Sequence, residues 1–112
     1  MEFQLSAEQQ QLQETVRRVA RQRVSPRAAE IARSAAYPQD MYDLLRELGL
    51  FALPFPVEHG GTGSLLSACV VLEEFARVCY NTAYLLVVQW VPFGAIQAGG
   101  TPQQRERWLG PL

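Results

Sequence analysis

From Ser64 to Gly100 the chain reads SLLSACVVLEEFARVCYNTAYLLVVQWVPFGAIQAGG, and this stretch decides the fold. It opens on a serine able to cap a helix and closes on a glycine pair able to end one. Apolar residues fall on nearly every face of a 3.6-residue repeat, and no alternating β-branched run appears. The spacing predicts two helices, one from Ser64 to about Cys79 and one from about Thr82 to Ala98, bent at Pro92. Glu73, Glu74 and Arg77 alone carry charge in the first, so both helices need neighbours on several sides. Phe75, Leu72, Leu86 and Trp90 are expected at the centre of a bundle. No charged residue lies between Arg77 and Arg105. A membrane span requires about twenty continuous apolar residues. Asn81, Gln89, Pro92, Gln97 and Gly99-Gly100 break the run, so a buried helix is expected and a span is not.

Upstream, Ser6-Ala7-Glu8-Gln9 has the spacing of a capping box. Leu12, Val16, Val19, Ala20 and Val24 then form one apolar stripe, with Glu14 facing Arg17 and Arg18 on the wet side. Ser25-Pro26 should interrupt or kink this helix, which resumes through Ile31. Pro38 suits the first position of the next helix, buried through Met41, Leu44, Leu45 and Leu48, with Gly49 as a left-handed stop. Phe51 to Gly63 reads as a loop. Thr101-Pro102 starts a last short helix, with Arg105 and Arg107 outside and Trp108 and Leu109 inside. The class is all-α, an up-and-down helical bundle in a single domain spanning residues 1–112.

Composition narrows the chemistry. A chain of 112 residues, 48% hydrophobic and 19% charged, is ample for one soluble core. The net charge of -1 gives no basic footprint for nucleic acid. All ten basic residues are arginine, which excludes a P-loop or Schiff-base lysine. With a single histidine, His59, no multi-histidine metal site is available, and no metal is expected. Cys69 and Cys79, ten residues apart on one expected helix, lie about 15 Å from each other, too far to bridge. They are read as two buried thiols of a reducing compartment, and Met-Glu-Phe-Gln-Leu gives no secretory signal, so the cytoplasm is expected.

Two constellations invite a catalytic reading. Glu58-His59-Gly60-Gly61-Thr62-Gly63 precedes a helix, as phosphate-binding loops do, but has neither the lysine nor the preceding strand. A sharp turn requiring positive φ explains it better. Glu73-Glu74 diverge by about 100° on a helix and do not form an acid–base pair. An ion pair with Arg77 is the simpler account.

Order and local wording say more. The opening Phe3-Gln4-Leu5-Ser6-Ala7-Glu8-Gln9 resembles that of acyl-CoA dehydrogenases. The likeness continues through Val24-Ser25-Pro26-Arg27-Ala28, Tyr37-Pro38 and Glu47-Leu48-Gly49-Leu50-Phe51. It runs on through Pro56-Val57-Glu58-His59-Gly60-Gly61-Thr62-Gly63 and Leu72-Glu73-Glu74-Phe75-Ala76-Arg77, and ends with Gly100-Thr101-Pro102-Gln103-Gln104-Arg105-Glu106-Arg107-Trp108-Leu109. His59 stands where that family usually has an aromatic residue, and Ala32 where it often has an acid.

The resemblance implies the N-terminal helical domain of a FAD-dependent enzyme that oxidises an acyl-CoA across its α and β carbons. The catalytic base, the β-domain and the C-terminal helical domain are then expected outside this sequence, which stops at Gly110-Pro111-Leu112. No catalytic residue is assigned, and the segment alone is expected to be inactive and free of flavin. Tyr84, Val87, Val88 and Val91 share one helix face at offsets of 3, 4 and 7. By the resemblance that face looks onto the acyl chain, with Tyr84 limiting its size. The implied partners are acyl-CoA, an electron-transfer acceptor and other dehydrogenase subunits in a homo- or hetero-oligomer. The alternative reading is a non-catalytic helical interaction module.

Overall fold

The computed structural model describes residues 3–111 and is all-α among them. Helix α1 (Ala7–Val19) starts at the expected capping box: Ser6 Oγ accepts from the Gln9 amide, and the Ser6 amide donates to the Gln9 side chain. Ser25-Pro26 does not interrupt it. The chain runs through one wide π turn, Ala20–Val24, directly into α2 (Ser25–Ser34). The Ser25 amide reaches back to the Ala20 carbonyl, five residues earlier. Widening the turn absorbs a proline that has no amide to donate. The apolar stripe survives this change, with Val16, Ala20 and Val24 all buried.

Helix α3 (Gln39–Glu47) begins one residue later than expected, with Pro38 at its N-cap. Met41, Leu44 and Leu45 are buried, and Gly49 stops the helix at φ 71°. Leu48 points largely outward instead of completing the buried face. It caps the last turn, where the chain already rotates toward Gly49. Two short 3-10 turns, Leu50–Ala52 and Val57–His59, punctuate the following loop.

Helix α4 (Leu65–Val78) is capped by Ser64, whose Oγ accepts from the Ser67 amide. Cys79 alone, in extended conformation, separates it from α5 (Tyr80–Gly99), and the two helices pack on each other. The last helix, α6 (Pro102–Leu109), has a second capping box between Thr101 and Gln104. Phe75, Leu86, Val71 and Leu45 are fully buried in a core shared by α1, α3, α4 and α5.

Four expected core positions differ. Leu72 and Trp90 are only partly buried, flanking the core from one side. Trp108 is 49% exposed, its ring covered by the Arg107 guanidinium at 4.9 Å, while its neighbour Leu109 takes the interior. One α-helical step of about 100° separates the two, so both cannot face inward. Of the two thiols only Cys79 is buried; Cys69 is exposed. No helix among the described residues is long and apolar enough to cross a membrane.

Candidate functional site: an apolar groove between α4 and α5

The loop after α3 builds one wall of the site. Gly61 passes so close to the preceding strand of chain that a Cβ there would lie 2.1 Å from the carbonyl oxygens of both Ala52 and Phe55. Thr62 donates to the Leu53 carbonyl from its amide and from its hydroxyl, at 2.9 and 3.0 Å. The Gly60, Gly61 and Gly63 amides donate to Val57, Pro56 and Phe55. Every amide of the Gly-Gly-Thr-Gly segment is therefore used inside the loop, and none is left to cradle a phosphate. What the loop does is fix Pro54, Phe55 and Pro56 in place.

Those residues face a groove of about 490 Å³ between α4 and α5. Leu72, Ala68 and Cys69 form its α4 side; Val87, Trp90 and Val91 lead its α5 side. The Trp90 indole is pinned, its Nε1 donating to the Leu50 carbonyl at 3.2 Å. Phe93 meets Phe55 edge-on at 6.4 Å. Gln97 lies at the groove with its Oε1 buried and without a donor.

Of the four residues that the resemblance turns toward the acyl chain, Val87 and Val91 line this groove. Tyr84 and Val88 do not line it. Tyr84, 50% exposed, stacks on Tyr80 with ring centres 5.9 Å apart. The groove follows Val87, Val91, Gly94 and Ala98, and Val88 sits about 100° further round from Val87. Trp90, Leu72 and the Pro54–Pro56 segment were missed as site residues, because only the tertiary fold brings them together.

The charged groups lie away from the groove. Glu74, though 2% exposed, accepts from Arg17 at 2.9 and 3.0 Å and from Gln13 at 3.3 Å. The Arg17 hydrogen bond is the main force holding its carboxyl below the usual range, against the opposing effect of burial. Arg17 therefore bridges to α4 instead of serving Glu14 on its own helix. Glu73 pairs with Arg77 at the surface, as expected. His59 closes a 3-10 turn, and no metal-ligating cluster occurs among the described residues.

The sequence of these elements has known counterparts. The family profile described as acyl-CoA dehydrogenase, N-terminal domain, matches residues 6–112. The chain belongs to the acyl-CoA dehydrogenase family. It is 39% identical over 106 residues to the cyclohex-1-ene-1-carbonyl-CoA dehydrogenase of Syntrophus aciditrophicus, covering 94% of this chain and 26% of that one. With the cyclohexane-1-carbonyl-CoA dehydrogenase of the same organism it shares 36% over 98 residues, 84% of this chain and 25% of the other. With the short-chain specific acyl-CoA dehydrogenase of Clostridium acetobutylicum it shares 32% over 114 residues, 100% of this chain and 30% of the other. This acyl-CoA dehydrogenase domain thus spans roughly a quarter to three-tenths of the length of the relatives it matches.

Flavin adenine dinucleotide, the cofactor the family implies, finds no pyrophosphate cradle in the glycine loop, whose amides are all engaged.

Proposed function

We propose that this chain is the N-terminal part of a FAD-dependent acyl-CoA dehydrogenase and supplies one wall of the acyl pocket. The observation that carries this reading is the apolar groove between α4 and α5, lined by Val87 and Val91. A hydrocarbon tail gains about 0.8 kcal/mol per methylene on leaving water for such a lining. The relatives' names each specify a CoA thioester as substrate or an acyl-CoA activity, which fits that occupant. In this reading the base that removes the α-proton and the residues that hold the flavin belong to other parts of the enzyme. The groove residues hold the acyl group and keep water from it, and electrons leave by way of an electron-transfer acceptor.

The test uses the exposed Cys69 thiol in the groove wall as reporter. Butanoyl-CoA should slow its alkylation, and Val87→Phe, which fills the groove, should abolish that protection. Equal alkylation rates with and without acyl-CoA would remove the groove as the acyl site.

A second reading has its own support. The chain exposes 7278 Å², about 1,000 Å² above the area expected of a compact domain of this mass. That surplus is of the size one partner contributes to a protein–protein interface. Tyr80, Tyr84, Val88 and Val91 are exposed together on α5. On this reading the chain is a helical interaction module or a partner subunit in a homo- or hetero-oligomer of dehydrogenase subunits. Light scattering on Tyr84→Arg decides: loss of an assembled species supports it, and a monomer for both proteins rules it out.

A further inference from the structure

Glycine is among the least favourable residues in a helix interior, so Gly94, well inside α5, needs a reason. The usual reasons are absent. Its φ does not lie in the left-handed region, which among the glycines is occupied only by Gly49, Gly60 and Gly63. Nor does another part of the chain press against it: a Cβ built there meets nothing within 4 Å. Gly61 and Gly100 are the contrast, since a Cβ on either would collide with a carbonyl oxygen. The open space beside Gly94 is the groove itself.

One helical turn earlier stands Trp90, held by its hydrogen bond to the Leu50 carbonyl and unable to swing aside without breaking it. A straight acyl chain runs along a groove past such a ring and uses only its length. A branch or ring on the acyl group needs room to the side, and the missing side chain at Gly94 supplies it immediately beyond the indole. Ala98, a further turn on, keeps the same wall low.

We infer that Gly94 is a specificity-determining position, whose missing side chain leaves a notch beside Trp90 that admits branched or alicyclic acyl groups. The inference rests on the proposal that the groove is the acyl site. A methyl group placed in the notch strengthens the helix and removes the side room in one step. Gly94→Ala should therefore be more stable and more selective at once.

The experiment measures alkylation of Cys69 by N-ethylmaleimide in the presence of butanoyl-CoA or cyclohexane-1-carbonyl-CoA. In the unaltered chain both should protect. In Gly94→Ala, protection by the alicyclic thioester should weaken about tenfold or more, as one methyl in a fitted pocket allows. Protection by the linear one should hold. The melting midpoint should rise by about 4 °C. Gly99→Ala is the control: it also sits in α5 with nothing within 4 Å of its Cβ but lies outside the groove, so the order of the two thioesters should not change. If Gly94→Ala keeps the original order of protection, the specificity role is wrong while the groove remains the acyl site. If its melting midpoint falls, the fold itself requires the glycine and the inference fails. If neither thioester protects the unaltered chain, the groove reading falls and this inference with it.

Discussion

Arg17 and Glu74, 57 residues apart in sequence, meet through two hydrogen bonds of 2.9 and 3.0 Å that join α1 to α4. The carboxylate is buried and the guanidinium is partly in solvent. Gln13 donates a further hydrogen bond to the same carboxylate, and a buried charge of this kind is costly to leave unpaired.

Glu74→Gln should cost about 1–3 kcal/mol in denaturant titration, since a buried hydrogen-bonded charge pair becomes a weaker neutral contact. The pH dependence has a definite sign. Arg17 lowers the folded-state pKa of Glu74 below its unfolded value. The stabilisation is complete above the unfolded carboxylate pKa of about 4.3, and is lost as pH falls through the lower folded value. Unfolding midpoints taken from about pH 6 down to pH 3 should fall more steeply for the unaltered chain than for Glu74→Gln. The Arg27–Asp40 pair is exposed and common to both proteins, so it does not contribute to the difference. Parallel curves would show that Glu74 does not titrate with folding.

Phe75→Ala should cost about 3–5 kcal/mol, because Phe75 is wholly buried and leaves a cavity in the shared core. Leu72→Ala should cost about 1 kcal/mol, below the usual range for a core leucine, because Leu72 already borders the open groove. Equal losses for the two variants would place Leu72 in the core after all.

Gly61→Ala should destabilise by about 3 kcal/mol or more, since its methyl would collide with backbone oxygens that have no room to retreat. Gly63→Ala tests the other requirement of the same loop, a φ of 69° with open space around it, and should cost about 1 kcal/mol. If Gly61→Ala proves the milder of the two, the loop does not pack as described.

The purified chain should carry no flavin absorbance and show no acyl-CoA dehydrogenase activity. The proposal assigns the base and most of the flavin contacts to other parts of the enzyme. Flavin in stoichiometric amount would overturn that assignment.

Much of this architecture was readable from sequence wherever it depends on neighbours a few residues apart. The boxes at Ser6 and Thr101, the stop at Gly49 and the serine cap at Ser64 are of that kind. So was the apolar stripe from Leu12 to Val24, although the π turn that lets it pass Pro26 was not. A kink and a widened turn answer the same missing amide, and the sequence does not choose between them. The Arg17–Glu74 bridge was hidden for another reason. Local spacing offers Arg17 a partner in Glu14, and only packing of α1 on α4 supplies the better one. Periodicity puts Tyr84, Val87, Val88 and Val91 on one face of α5, and of these Val87 and Val91 line the groove. Tyr84 and Val88 satisfied the same periodicity but lie outside, because a repeat fixes which residues share a face and leaves open which face is covered.

Cys79 is the whole connection between the two helices that form the groove. Its amide donates to Phe75, its carbonyl accepts from Ala83, and its sulfur accepts from the Thr82 hydroxyl at 3.1 Å. The arrangement is that of tweezers joined at one end, with the tips formed by Leu65 on one arm and Gln97 and Ala98 on the other. The α4 arm extends about 20 Å from the joint and the α5 arm about 28 Å. A change of about 5° at Cys79 would move a tip by about 2 Å over either length. Cys79 is no part of the groove lining, so a change there would act on the width of the far end from outside the groove.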